Sequence, residues 1–123
     1  MYKIRFYLNQ KGESSVKEYI KYLSKREDKN SKLKLNKIND LIRSLSEHGL
    51  DMGMPGIRRI SKGLWELRPY RDRIFFFTYH NEEFVLLHYF VKKTRKTPKK
   101  EIDKAIKEMN YYTAWRENND KEN

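Results

Sequence analysis

Cysteine is absent from the 123 residues, which excludes disulfides, thiolate metal sites and cysteine nucleophiles. No long hydrophobic run is present either. The most apolar stretch, Phe84 to Val91, is interrupted by His88 and falls far short of the ~20 residues that span a bilayer. The opening Met1-Tyr2-Lys3-Ile4-Arg5-Phe6 has no uninterrupted apolar segment, so a secretory signal is not expected. Negative charge is in the minority, with 17 Asp and Glu against 28 Lys and Arg, a net charge of +11. Leu, Ile, Val and Phe make up 29 of the 123 residues, just above the roughly one-fifth below which a charged chain tends to stay disordered. That leaves room for a small core and one domain. The expectation is a soluble, basic, cytoplasmic protein with its domain over 1–116. The polar tail over 117–123, ENNDKEN, has nothing to bury and is expected to fray.

Hydrophobic spacing predicts the elements. Ile4, Phe6 and Leu8 alternate as in a half-buried strand. Ser15 stands three before Glu18, a capping-box spacing, and Val16, Tyr19, Ile20 and Leu23 then follow at helical intervals to a helix end near Arg26. Asn30 or Ser31 can cap a second helix with the stripe Leu35, Ile38, Leu41, Ile42 and Leu45, stopped by Gly49. Glycine is scarce, and four of the five glycines lie between 49 and 63, so that stretch reads as loop with a short strand at 57–61. Strands follow at 64–68, 72–79 and 84–92, the last two joined by the turn His80-Asn81-Glu82. Thr97-Pro98 opens a final helix with the stripe Ile102, Ala105, Ile106 and Met109. The order β-α-α-β-β-β(-β)-α predicts an α+β domain, mostly antiparallel, with its helices on one face of the sheet.

The positive charge is uneven. Between Arg58 and Lys100 there are twelve Lys and Arg against four Asp and Glu, the footprint of a polyanion-binding surface. A four-residue loop Pro69-Tyr70-Arg71-Asp72 would pair Arg68 with Arg73, Leu67 with Ile74, Glu66 with Phe75 and Trp65 with Phe76. Trp65, Leu67, Ile74 and Phe76 would then share a core face. Arg68 and Arg73 would share the other, their Cβ atoms roughly 5 Å apart. Like charges so placed call for an anion between them, either a ligand or, within the sheet, Asp72 or Glu66. The run Lys92-Lys93-Thr94-Arg95-Lys96-Thr97-Pro98-Lys99-Lys100 brings cations to a helix N-terminus, where the backbone already favours phosphate. Arg58, Arg59, Tyr70, Arg71, Lys92, Arg95, Lys96, Lys99 and Lys100 are the candidate RNA-binding residues. Tyr70, Phe75, Phe77, Tyr79, Tyr89 and Phe90 interleave with these cations and could stack on unpaired bases, although strand aromatics are also ordinary core residues.

His48, His80 and His88 are scattered without metal-ligand spacing, and neither a serine triad motif nor a glycine-rich phosphate loop is present. No metal or other cofactor is expected. Lys, Arg, Tyr and His remain, which suffice for metal-free RNA cleavage. The 2′-hydroxyl attacks the adjacent phosphate, a base takes its proton, cations hold the developing charge and an acid protonates the 5′-oxygen. A lysine of the basic run can serve as base. His88 is a possible acid or base by residue type, and a structural histidine by its mid-strand position.

Leu64-Trp65-Glu66-Leu67-Arg68-Pro69, Arg73-Ile74-Phe75-Phe76-Phe77 and Leu86 through Pro98, followed by Glu101, Ile102 and Ala105, resemble the phage-derived HigB-like branch of the RelE toxin superfamily. That resemblance covers nearly the whole chain in order and is specific from 64 to 106. It implies a RelE-like fold and the toxin of a type II toxin–antitoxin system, a ribosome-dependent mRNA endoribonuclease (mRNA interferase, a hydrolase) that inhibits translation. It also implies a HigA-like helix-turn-helix antitoxin and a higher-order complex with it. Arg68, Arg73 and the run of Lys92, Lys93 and Lys96 match positions where such toxins carry functional cations, and Arg68, Arg73 and Lys93 are the expected catalytic residues. Glu66 stands where many relatives have lysine. Two other readings fit the same residues: a ParE-like toxin of this fold without RNase activity, and a non-catalytic RNA- or ribosome-binding protein.

Overall fold

A computed structural model describes residues 1–121. Strand β1 (Lys3–Phe6) is followed by helices α1 (Ser15–Ser24) and α2 (Lys29–His48), a 3-10 turn (Gly49–Met52), strands β2 (Ile57–Ser61), β3 (Leu64–Leu67), β4 (Asp72–Tyr79) and β5 (Glu83–Val91), and helix α3 (Lys99–Lys121). The five strands form one sheet in the order β1-β5-β4-β3-β2. The β2-β3-β4-β5 part is an antiparallel meander. β1 joins β5 in parallel, a pairing that needs a long connection, here supplied by the helices and the meander between them.

The caps sit slightly ahead of their expected places. Ser14 rather than Ser15 begins α1, its Oγ accepting the Lys17 N–H at 3.1 Å. Asp28 rather than Asn30 or Ser31 begins α2, accepting from both the backbone and the hydroxyl of Ser31. Those bonds, with Arg26 alongside, hold the Asp28 carboxyl down to about 2. Gly49 ends α2 at φ 60°, and a Cβ there would meet the Tyr2 ring at 2.7 Å, so both conformation and space require glycine.

Helices cover both faces of the sheet, not one. Val16 and Leu23 of α1 and Ile38, Leu41 and Leu45 of α2 pack on Ile57, Leu67, Ile74, Phe76, Phe84 and Leu86. Ala105 and Tyr112 of α3 pack on Leu64, Phe75, Phe77, Tyr79, Val85, Leu87 and Phe90 on the opposite face. The reason lies in the strands: Ile74–Phe77 and Phe84–Leu87 are buried without alternation, and a strand apolar on both sides needs a cover on both.

The last helix also runs further than expected, through residues 117–121 to Lys121; residues 122–123 lie outside the described part. Arg116 anchors it, donating to Glu83 Oε2 at 2.9 Å and to the Tyr112 hydroxyl at 2.8 Å. Arg5 Nε reaches the same carboxylate at 2.6 Å. These bonds, Arg116 foremost, hold the Glu83 carboxyl down to about 2 from an ordinary 4.5. A depressed carboxyl stabilises the fold above its unfolded value, and that stability is lost as pH falls through the folded one. Glu83→Gln should therefore cost about 2 kcal/mol at pH 7, with the difference from wild type shrinking between pH 4.5 and 2 in urea titrations.

Candidate nucleic-acid interface

The β2-β3-β4 register brings the basic residues together. Arg58 opposes Glu66, and Glu66 opposes Phe75, so all three lie on the face that α3 covers further along. Arg68 follows β3 on that side, Arg73 is the second residue of β4, and Lys92 follows β5. The pairing of Trp65 with Phe76 and Leu67 with Ile74 is as expected from the hairpin. At the uncovered end of this face the cations surround one carboxylate.

That carboxylate is Glu66. Its side chain is fully buried, and its Oε2 lies 3.5 Å from Arg68 Nε and 3.6 Å from Arg73 Nε. None of these atoms has a hydrogen-bond partner in the protein, so the attraction is between charges. Burial pushes the Glu66 carboxyl up against the pull of Arg73, Arg68, Lys92 and Arg58, and burial draws the Arg73 guanidinium down. The repulsion of the like-charge pair is thus offset, in part, by one carboxylate within the sheet. Asp72 adds a lesser attraction to Arg73, but its carboxylate is engaged elsewhere: it accepts the Tyr19 hydroxyl at 2.7 Å and pairs with Lys34 at 3.5 Å.

The two arginines are not equivalent. Arg68 is partly exposed, and besides its charge pair with Glu66 its guanidinium makes one hydrogen bond among the described residues, to the Met54 sulfur at 3.9 Å. Its fork is available to an anion. Arg73 is buried, and its Nη1 donates to the carbonyls of Tyr70 at 2.7 Å and Asp72 at 2.8 Å. It holds the turn.

Beside this cluster lies the loop 92–98, with Lys92 half-buried and Lys93, Arg95 and Lys96 exposed. The Thr94 hydroxyl donates to the Lys96 carbonyl at 2.7 Å, bending the loop into α3. Lys99 and Lys100 are exposed in the first turn of α3, but Glu101 completes that turn, so it is less one-sidedly cationic than the run suggests. Arg71 is exposed at the hairpin turn. Arg59 opposes Trp65 and so belongs to the other face, apart from the cluster.

His88 and most of the candidate aromatics lie elsewhere. Leu87 and His88 both stand opposite Phe75, because a bulge shifts the register between Ile74 and Phe76. The bulge turns His88 under α3, where Nδ1 faces Glu108 and Nε2 lies 3.1 Å from Glu101. Both ring nitrogens are occupied, and the residue ties the helix to the sheet. Neither glutamate is visible as its partner in the sequence, since the tie depends on the bulge. Phe75, Phe77, Tyr79 and Phe90 are core under α3, and Tyr89 stacks on Tyr19 at 4.0 Å on the opposite face. Of the candidate rings only Tyr70 stands largely in solvent, on the turn that carries Arg68 and Arg71.

This α+β architecture is similar in fold to the solved structure described as the YoeB-YefM complex from Staphylococcus aureus: TM-score 0.50 at 19% identity over 72% of this chain and 94% of that one. A heterotetrameric YoeB-YefM toxin–antitoxin complex from the same organism matches with the same score and identity, over 76% of this chain and 98% of that one. The chain belongs to the family described as phage derived protein Gp49-like, whose model matches residues 18–110. No curated protein matches it.

Proposed function

We propose that this protein is the toxin of a type II toxin–antitoxin pair, a HigB-like, ribosome-dependent mRNA endoribonuclease that cleaves without a metal. The observation that carries this reading is the convergence of Arg58, Arg68, Arg73 and Lys92 on one buried carboxylate, beside the exposed Lys93–Lys96 loop. Both structural relatives are YoeB-YefM complexes, one of them named as toxin–antitoxin, which supports a partner of the antitoxin kind, HigA-like in this reading. The setting is the cytoplasm, with ribosome-bound message as substrate.

In the reaction, the 2′-oxygen forms a bond to phosphorus as the bond to the 5′-oxygen breaks. The 2′-proton passes to a base and another proton is delivered to the leaving 5′-oxygen. Arg68 is the clamp for the charge on the non-bridging oxygens. Lys93, exposed at the mouth of the loop, is the residue we assign to charge stabilisation or proton removal. Arg73 supports both by fixing the hairpin, and the covered His88 is given no proton-transfer step. Lys92, Arg95, Lys96, Lys99, Lys100, Arg58 and Arg71 hold the phosphate backbone.

Induced expression should arrest growth and leave messages cut within their coding regions, and co-expression of a helix-turn-helix protein from an adjacent reading frame should prevent both. Arrest with intact messages would favour the ParE-like reading. At the residue level, Lys93→Ala should lower the cleavage rate at saturating ribosome by ~100-fold, with ribosome affinity changed far less. Lys99→Ala should mainly weaken binding, and both should leave the melting temperature unchanged or slightly raised. Single-turnover kinetics check these splits.

A further inference from the structure

The hairpin turn between β3 and β4 holds an exposed tyrosine in a conformation tyrosine rarely adopts. Tyr70 has φ 56°, in the left-handed region where Asn and Gly are the usual occupants, and it is 56% exposed. Nothing about closing the turn calls for an aromatic ring at this place. The strain is nevertheless maintained. Arg73 spends its Nη1 on the carbonyls of Tyr70 and Asp72, the Asp72 N–H donates to the Pro69 carbonyl at 3.0 Å, and the Lys92 N–H donates to the Arg71 carbonyl at 2.8 Å. A buried arginine, whose other face is engaged with Glu66, thus fixes the Tyr70 backbone in a turn that also carries Arg68 and Arg71, with the tyrosine side chain in solvent. A strained residue that its surroundings over-determine points to a function for that residue.

We infer that Tyr70 is a base-stacking platform: its ring receives one unpaired nucleobase next to the phosphate held by Arg68, and Arg73 is its positioning residue. An exposed ring on a turn that also carries Arg68 and Arg71 suits a nucleotide, whose base stacks while its phosphate pairs. The flanking charge does not suit an apolar protein segment. The inference rests on the RNA-cleaving reading only for the identity of the ligand as RNA. Tyr70 then contributes to which nucleotide is seated at the cut, by stacking strength rather than by hydrogen-bonded readout.

The test is an abasic scan. The full-length protein is titrated with a short single-stranded oligoribonucleotide bearing 2′-O-methyl groups, so that it cannot be cut, with one base removed at a time. Wild type should lose about 10-fold in affinity at one position of the scan. Tyr70→Asn, which suits the left-handed turn but has no ring, should lose about the same on the intact strand and become indifferent to that position, with its melting temperature unchanged or raised. Tyr70→Trp should restore the positional effect. Arg73→Lys, which keeps the charge but not the fork, should blunt it without abolishing binding. Wild-type affinity in Tyr70→Asn, a positional effect that survives in it, or no binding by wild type at all would each overturn the platform. Cleavage of ribosome-bound message is scored separately: cleavage without the positional effect sinks the platform alone, and the positional effect without cleavage sinks the nuclease reading alone.

Discussion

Arg68→Ala should reduce the rate of message cleavage by ~10²–10³ while leaving the protein folded and able to bind ribosomes. The magnitude is that of removing one preorganised donor from a site where charge develops in the transition state. The expectation that the fold survives comes from the position of Arg68. It lies just beyond β3 and is partly exposed, and Glu66 keeps Arg73 at 3.6 Å when Arg68 is gone. Arg68→Lys should recover only part of the rate, because a single ammonium lacks the planar fork that engages two phosphate oxygens. Single-turnover cleavage on programmed ribosomes, with melting curves alongside, separates the chemical effect from a folding one.

Arg73→Ala should behave differently and destabilise the protein by about 3–5 kcal/mol. From the sequence alone, two arginines facing each other across a hairpin suggest that removing either relieves repulsion. The buried carboxylate between them reverses that sign for Arg73. Without it, Glu66 loses the strongest of the charges that offset its burial, and the carbonyls of Tyr70 and Asp72 lose their donor. The effect should also depend on pH. A carboxyl raised in the folded state favours folding below its unfolded value, and that contribution is lost as pH rises through the folded one. Losing Arg73 raises Glu66 further, so the deficit of the variant should be largest near pH 7 and narrow toward pH 5. Urea titrations at the two pH values measure it, and a deficit independent of pH would mean that the lost backbone bonds, not Glu66, account for it.

Local signals in the chain were sufficient for most elements. The left-handed stop at Gly49, the helical stripes of α1 and α2, and the hairpin register that pairs Leu67 with Ile74 all follow from spacing and turn chemistry. The meeting of Arg68 and Arg73 follows from that same register, whereas Lys92 is brought to them by the bulged pairing of β4 with β5. Other features depend on non-local packing. The cover of α3 on the second face is implied by the unbroken apolar runs of β4 and β5, but an apolar run does not say which helix buries it. His88 faces α3 because of a bulge, and strict alternation along β5 cannot express an extra residue. The division of work between Arg68 and Arg73 depends on which guanidinium meets backbone carbonyls, a property of the folded turn.

The central claim is that this site cuts RNA through its own 2′-hydroxyl. It is tested most directly by supplying purified protein with ribosomes programmed with a defined message, mapping cleaved ends by primer extension, and repeating the experiment with a 2′-deoxynucleotide at each mapped position. Discrete cuts should appear on ribosome-bound message, leave 2′,3′-cyclic phosphate ends, and vanish when the attacking hydroxyl is removed. Message that stays intact, or cuts that persist at the 2′-deoxy positions, would contradict it.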